Sequence, residues 1–214
     1  MPVTDPSSVV DFVLFHLPTP PALVLEVGAG RGDLARHLVS RGYQVTAIDP
    51  DPPDGADVEP VAIADFDSSE TFTAVVASRV LHHVADLEVA LDRLVSVLDP
   101  GGVIIVHEFA WDRVVGSTAQ WLFDALQRRP CAEAASTRGS FEDWYGAWAD
   151  EHSHLHGFER LMAGLDGRFT RQWFGWVPYL AAEYVDSGLE SSERALIEVE
   201  AIQASGFRYV GRKR

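Results

Sequence analysis

A single cysteine, Cys131, and two methionines are all the sulfur that 214 residues carry. One thiol excludes an internal disulfide framework and any cysteine-rich metal site. Basic charge is scarce too: 17 Lys and Arg stand against 32 Asp and Glu, a formal net charge of −15. A protein that grips a phosphate backbone needs a positive face, so the scattered basic residues argue against nucleic acid and against anionic membrane surfaces. No apolar run approaches the length needed to cross a bilayer, and the first residues lack a basic-then-apolar leader pattern. The expectation is a cytoplasmic protein. What is present is ordinary for a folded chain, with 47% hydrophobic and 23% charged residues, and is enough for one substantial core.

The most informative stretch is Val24-Leu25-Glu26-Val27-Gly28-Ala29-Gly30-Arg31-Gly32-Asp33. A short apolar run enters a glycine-rich turn, and a helix is expected over Asp33 to Ser40, with Leu34, Ala35, Leu38 and Val39 on its inner face. Backbone amides at such a helix start point outward with a positive dipole end, where an anionic or strongly polar ligand can sit. A second strand, Tyr43 to Ile48, ends in Asp49, whose carboxylate is placed to accept hydrogen bonds from ribose hydroxyls. A dinucleotide fingerprint needs G-x-G-x-x-G, and the position of its last glycine is occupied here by Asp33.

Further along, Asp5-Pro6 reads as a helix start ahead of Val9, Val10, Val13, Leu14 and Leu17. Pro50-Asp51-Pro52-Pro53-Asp54-Gly55 is turn chemistry. A third strand is expected near Val61 to Ala64, with its crossover helix lost. Thr73 to Ser78 reads as a fourth strand, buried on both faces. Asp86 caps a helix with a Leu87, Ala90, Leu91, Leu94, Val95, Leu98 stripe. Asp99-Pro100-Gly101-Gly102 ends it, and Val103 to Val106 forms strand five. Strand six is expected over Arg168 to Trp176, helices over Tyr179 to Val185 and Glu193 to Ala204, and strand seven over Phe207 to Val210. All six tryptophans fall between residues 111 and 176, and Phe141, Trp144, Tyr145 and Trp148 share a helical face. Core packing is the default meaning of that stripe; an aromatic wall for a ligand is the sharper one.

The string Glu26-x-Gly28-x-Gly30-x-Gly32 resembles the first motif of class I S-adenosylmethionine (SAM)-dependent methyltransferases. Ser78-Arg79-Val80-Leu81-His82-His83-Val84 is similar to the segment after strand four in small-molecule members, and the helix–Pro-Gly-Gly–strand unit also recurs in that family. The resemblance implies a doubly wound α/β fold with a mostly parallel seven-stranded sheet, its last strand antiparallel, and an aromatic-rich helical insertion between strands five and six. It implies one methyltransferase domain over 1–214, with 111–165 as a cap. It implies SAM as cofactor, S-adenosylhomocysteine as product, a small-molecule acceptor, and a monomer or homodimer. Glu26 is then expected near the methionine amino end, Gly28, Ala29 and Gly30 as close-approach backbone, Asp49 on the ribose, Asp65 and Phe66 at the adenine, and Ser78 and Arg79 at the methionine end.

Methyl transfer from a sulfonium needs alignment and sometimes a base, so no obligatory catalytic motif exists. His82, His83 and His107 are the candidate bases because an unperturbed imidazole titrates near working pH, with Glu108 as a carboxylate alternative. His152, His154 and His156 alternate by two, which scatters them on a helix, so no metal site is expected there. A NAD(P)-dependent oxidoreductase and a SAM-binding protein without turnover are the competing functions.

Overall fold

A computed structural model describes residues 8–128 and 139–214. Cys131 and the Asp5-Pro6 pair lie outside the described residues. The first described helix, α1 (Val9–His16), is capped by Ser8, whose Oγ accepts from the Asp11 amide at 3.0 Å. Strand β1 (Leu23–Val27) follows, then α2 (Asp33–Ser40), β2 (Gln44–Asp49), β3 (Glu59–Pro60), β4 (Phe72–Ser78), α3 (Leu87–Val97) and β5 (Leu98–Phe109). Helices α4 (Ser117–Gln127), α5 (Phe141–His152) and α6 (Phe158–Arg168) lead to β6 (Phe169–Val177). Helix α7 (Glu190–Glu198) and β7 (Gly206–Lys213) close the chain.

The seven strands form one sheet in the order β3-β2-β1-β4-β5-β7-β6. β1 pairs in parallel with β2 (Val24 opposite Val45) and with β4 (Val24 opposite Ala74), and β4 pairs in parallel with β5. The chain therefore steps outward from β1 through β2 to β3, then returns to the other side of β1. Loops leaving the carboxyl ends of β1 and β4 diverge at that reversal, which opens a crevice for a ligand. The β4–β5 register jumps from Phe72 opposite Leu98 to Ala74 opposite Val103, so the Asp99–Gly102 stretch forms an irregularity within β5, and strand five begins earlier than expected.

Two expected elements are corrected. Val61 to Ala64 is not a strand: the third strand is only Glu59–Pro60, and Ile63–Asp65 is a 3-10 turn. Proline cannot donate to a ladder, which limits the pairing at that edge. The last helix stops at Glu198 rather than Ala204, because Glu200 adopts φ 58°, a left-handed conformation no helix interior accepts.

The chain divides into two compact units. The first holds the residues up to Glu108, Arg160–Phe174 and Arg208–Arg214. Its core gathers Phe12 and Val13 of α1 with Val24, Leu38, Ala74, Val76, Ile105 and Val210. The α3 stripe is buried at Leu87, Ala90, Leu91, Leu94 and Val97, and each leucine contributes roughly 1.5–3 kcal/mol by leaving water. The second unit holds Phe109–Glu159 and Gly175–Phe207. Its core is aromatic, with Phe109, Trp144, Trp148 and Tyr179 buried among Leu122, Ala125 and Leu180. No helix among the described residues is long and apolar enough to cross a membrane.

Candidate functional site

The glycine loop is held from both sides. The Gly28 and Ala29 amides both donate to the Ile48 carbonyl, at 2.9 and 3.1 Å, and the Gly32 amide closes a turn on Ala29 at 2.8 Å. Gly28 has φ 70°, and a Cβ added there would lie 2.5 Å from the Val80 Cβ, so a side chain is excluded by conformation and by contact. One turn on, the Gly30 amide donates to Asp49 Oδ2 at 2.9 Å, while Asp49 Oδ1 accepts from the Asp51 amide at 3.0 Å. Asp49 thus braces the loop of β1 from the end of β2. Asp33 pairs with Arg36, which also donates to the Arg31 carbonyl at 2.6 Å and stiffens the outer flank of the loop.

Glu26 sits on β1 just before this turn and is 4% exposed. Burial pushes its carboxyl up to about 7, with Asp33 adding to the rise and the Ala35 amide and Arg36 opposing it. Its Oε2 atom is buried without a hydrogen-bond partner. A buried acceptor left unsatisfied beside an open turn fits a ligand that brings a donor or a cation.

Beside the loop lies a cavity of about 360 Å³. Its walls are Gly28 and Ile48, the segment Val61–Asp65, and Val80, His83 and Val84. Nearly all of that lining is apolar, and Asp65 and Asp86 supply carboxylates at it. Asp86 Oδ1 also caps α3 by accepting from Glu88 and Val89. Slots of this character accept a flat heteroaromatic group with polar contacts at its edge.

The expected cofactor residues distribute unevenly over this geometry. Gly28 and Asp65 line the cavity, Ala29 and Gly30 belong to the adjoining loop, and Glu26 and Asp49 stand on β1 and at the end of β2 beside it. Phe66 is a correction. It is 3% exposed and turned toward Phe72, with ring centroids 6.2 Å apart, so the apolar wall comes from Val61 to Ala64 instead. Ser78 ends β4 opposite His107, and Arg79 takes φ 57° while its amide donates to the His107 carbonyl at 2.8 Å; neither lines the cavity.

Among the candidate bases, only His83 lines the cavity. His82 is 4% exposed, its Nδ1 is bonded to Glu108 Oε2, and its ring lies 4.1 Å from that of His83. Glu108 is a correction as a base: it is fully buried, and its Oε1 accepts from the Val80 and Leu81 amides at 2.9 and 2.6 Å. His107 is buried and does not line the cavity, and burial, then Arg208 and Arg79, lower its pKa to about 3.

In the second unit His152 is part of the aromatic core. It stacks on Trp148 at 4.0 Å, its Nδ1 bonds the Trp148 carbonyl at 2.7 Å, and its Nε2 meets the Tyr184 hydroxyl at 3.0 Å. His154 is exposed and His156 half-buried. Among the described residues no group of three His, Cys, Asp or Glu side chains could hold a metal ion. Sequence reasoning missed Ile48, Pro50, Val80, Val84 and the Val61–Ala64 wall. The only signal for them was that apolar residues flanked the motif ends on the carboxyl side of the sheet, where ligands collect.

Comparison with known proteins gives this geometry its class. Residues 5–162 match a family model described as a methyltransferase domain, and the chain belongs to that family. An uncharacterized methyltransferase of Mycobacterium bovis is 34% identical over 131 residues, covering 56% of this chain and 64% of the relative. A ubiquinone biosynthesis O-methyltransferase of Nitrobacter winogradskyi is 31% identical over 94 residues, covering 38% of this chain and 36% of the relative. The chain thus spans under two thirds of the length of these curated relatives. The N-methyltransferase NodS of Bradyrhizobium japonicum, solved with S-adenosylhomocysteine, superposes with a TM-score of 0.54 over 90% of this chain and 78% of that one, at 17% identity. At that identity the likeness shows the fold, which is the Rossmann-like methyltransferase fold.

Proposed function

We propose that the chain transfers a methyl group from SAM to a small-molecule acceptor. The observation that carries this reading is the brace between β1 and β2, in which Gly30 donates to Asp49 directly beside a mostly apolar cavity. SAM supplies a methyl group on a positively charged sulfur, and the protein contributes binding, orientation and exclusion of water. Asp49 holds the loop through two amides and offers its remaining lone pairs to the ribose hydroxyls. Val61 to Ala64 and Val84 flank the adenine, and Asp65 accepts from its amino group. Glu26 presents its unsatisfied Oε2 to the amino group of the methionine part. His83, at the cavity wall, takes a proton from the acceptor where one must be removed.

Calorimetry tests the reading. S-adenosylhomocysteine is expected to bind with a Kd in the micromolar range and NAD not to bind. Saturable NAD binding with no heat from S-adenosylhomocysteine would end it. Labelled product from a metabolite extract supplied with methyl-labelled SAM separates an enzyme from a protein that binds without turnover.

Glu26 makes the binding depend on pH. Its folded pKa of about 7 exceeds the ordinary 4.5, so the stability gained from the neutral form is present at low pH and is lost as pH rises through about 7. Ligand binding runs the other way, because an ammonium group pairs with the ionised form. Affinity for S-adenosylhomocysteine should therefore increase between pH 6 and 8. Glu26→Gln should flatten that slope and bind about tenfold more weakly at pH 8. A wild-type affinity unaffected by pH over this range removes Glu26 from the ligand's cationic end.

A further inference from the structure

We propose that Glu108 is a positioning residue: its carboxylate, reaching from β5, fixes the Val80–His83 wall of the cavity against the glycine loop. The inference rests on the SAM reading of that cavity. At the carboxyl end of the sheet, β4 leaves β5 after the Arg79 amide has bonded the His107 carbonyl. The next two amides, Val80 and Leu81, have left the ladder and are caught by one oxygen of Glu108, at 2.9 and 2.6 Å. Its other oxygen holds His82 Nδ1. Three consecutive residues are thereby set by one fully buried carboxylate.

Both ends of this clamp reach the cavity. Val80 is pressed on the turn so closely that a Cβ on Gly28 would meet its Cβ at 2.5 Å and its Cγ2 at 2.7 Å. His82 is in ring contact with His83, at 4.1 Å between centroids, and Val80, His83 and Val84 are cavity lining. Position 108 thus sets the width of the slot without touching its contents. Buried charged acceptors make strong, directional bonds to backbone donors, and such a residue preorganises a site at a distance.

Reach and charge can be separated by two variants. Glu108→Gln keeps the length, so its amide oxygen still accepts from Val80 and Leu81. Glu108→Asp keeps the charge but withdraws it by about 1.5 Å, one carbon–carbon bond. In Glu108→Asp, exchange of the Val80 and Leu81 amides should quicken about tenfold and the Kd for S-adenosylhomocysteine should rise about tenfold, measured well below the melting temperature. Glu108→Gln should stay within about threefold of wild type on both measures. An Asp variant indistinguishable from wild type overturns the proposal, and so does affinity that fails to follow the exchange of these two amides across the variants. Absence of S-adenosylhomocysteine binding by the wild-type protein would refute the cofactor reading instead, and the exchange rates would still decide whether Glu108 anchors the wall.

Discussion

Asp49→Ala should weaken S-adenosylhomocysteine binding about a hundredfold while leaving the protein folded. Two losses combine. The Gly30 amide, 2.9 Å from Oδ2, and the Asp51 amide, 3.0 Å from Oδ1, lose their acceptor, so the loop is no longer braced from β2. The ribose hydroxyls lose a charged acceptor in the same step. Each hydrogen bond to a charged group is worth about 1.5–3 kcal/mol, and about 2.7 kcal/mol suffices for a hundredfold. Asp49 is only half-buried and lies at a strand end, so the core of β2, Ala47 and Ile48, is not disturbed. Asp49→Asn divides the effect. One carbonyl oxygen can still brace Gly30, and a loss intermediate between wild type and Ala is expected. Circular dichroism checks the fold and calorimetry the affinity. An Ala variant that binds within threefold of wild type would remove Asp49 from the ligand site.

Much of this half of the molecule was legible because its determinants are local. A short strand-forming stretch from Val24 to Val27, glycines at 28 and 30 and an acid at 49 specify a strand, a tight turn and a strand tip within thirty residues, and the elements lie where the spacing puts them. Val61 to Ala64 misled for a physical reason. An apolar run reads alike whether it pairs in a sheet or lines a cavity, and here the ladder ends at Pro60. Phe66 misled similarly: an aromatic beside an acid suggests a ring stacked on a ligand, but Phe72 offered a buried partner six residues on.

Glu108 shows the other limit. In sequence it is a carboxylate at the end of a strand, which suggests solvent or substrate. Its partners, Val80, Leu81 and His82, are 26 to 28 residues away, and nothing in either segment announces the clamp. His107, its neighbour, is buried as well, and that burial, followed by the charge of Arg208 from the last strand, lowers its basicity. Periodicity assigns a face of a strand, but the charges opposite that face come from elements distant in sequence. Roles that depend on one side chain and a local turn are therefore legible in the sequence; roles set by long-range partners emerge only in the folded chain.

The same logic gives the largest expected effect on stability, in the second unit. Glu193 of α7 is fully buried, and its carboxylate accepts from three successive amides: Tyr179 at 3.0 Å, Leu180 at 3.1 Å and Ala181 at 2.8 Å. These amides open the wide helical turn Ala181–Val185 and have no partner within it. The anchored segment carries Tyr179, stacked on Phe109 at 4.5 Å, and Tyr184, bonded to His152. Burial raises the Glu193 pKa against the pull of the three amides, so the carboxylate is retained there for its bonds rather than for any ease of ionisation. Glu193→Ala removes the acceptor that three buried amides share and should destabilise the second unit by about 3–5 kcal/mol. Glu193→Gln can still serve Tyr179 and Leu180 but turns a donor toward Ala181, and should cost about 1–2 kcal/mol. Five of the six tryptophans, all but Trp173, lie in this unit, so denaturant titration followed by tryptophan fluorescence reads it directly. The Ala variant should unfold at markedly lower denaturant, with Gln between it and wild type. A Gln midpoint equal to that of wild type, with only Ala lowered, would mean that the carboxylate contributes nothing beyond the space its side chain fills.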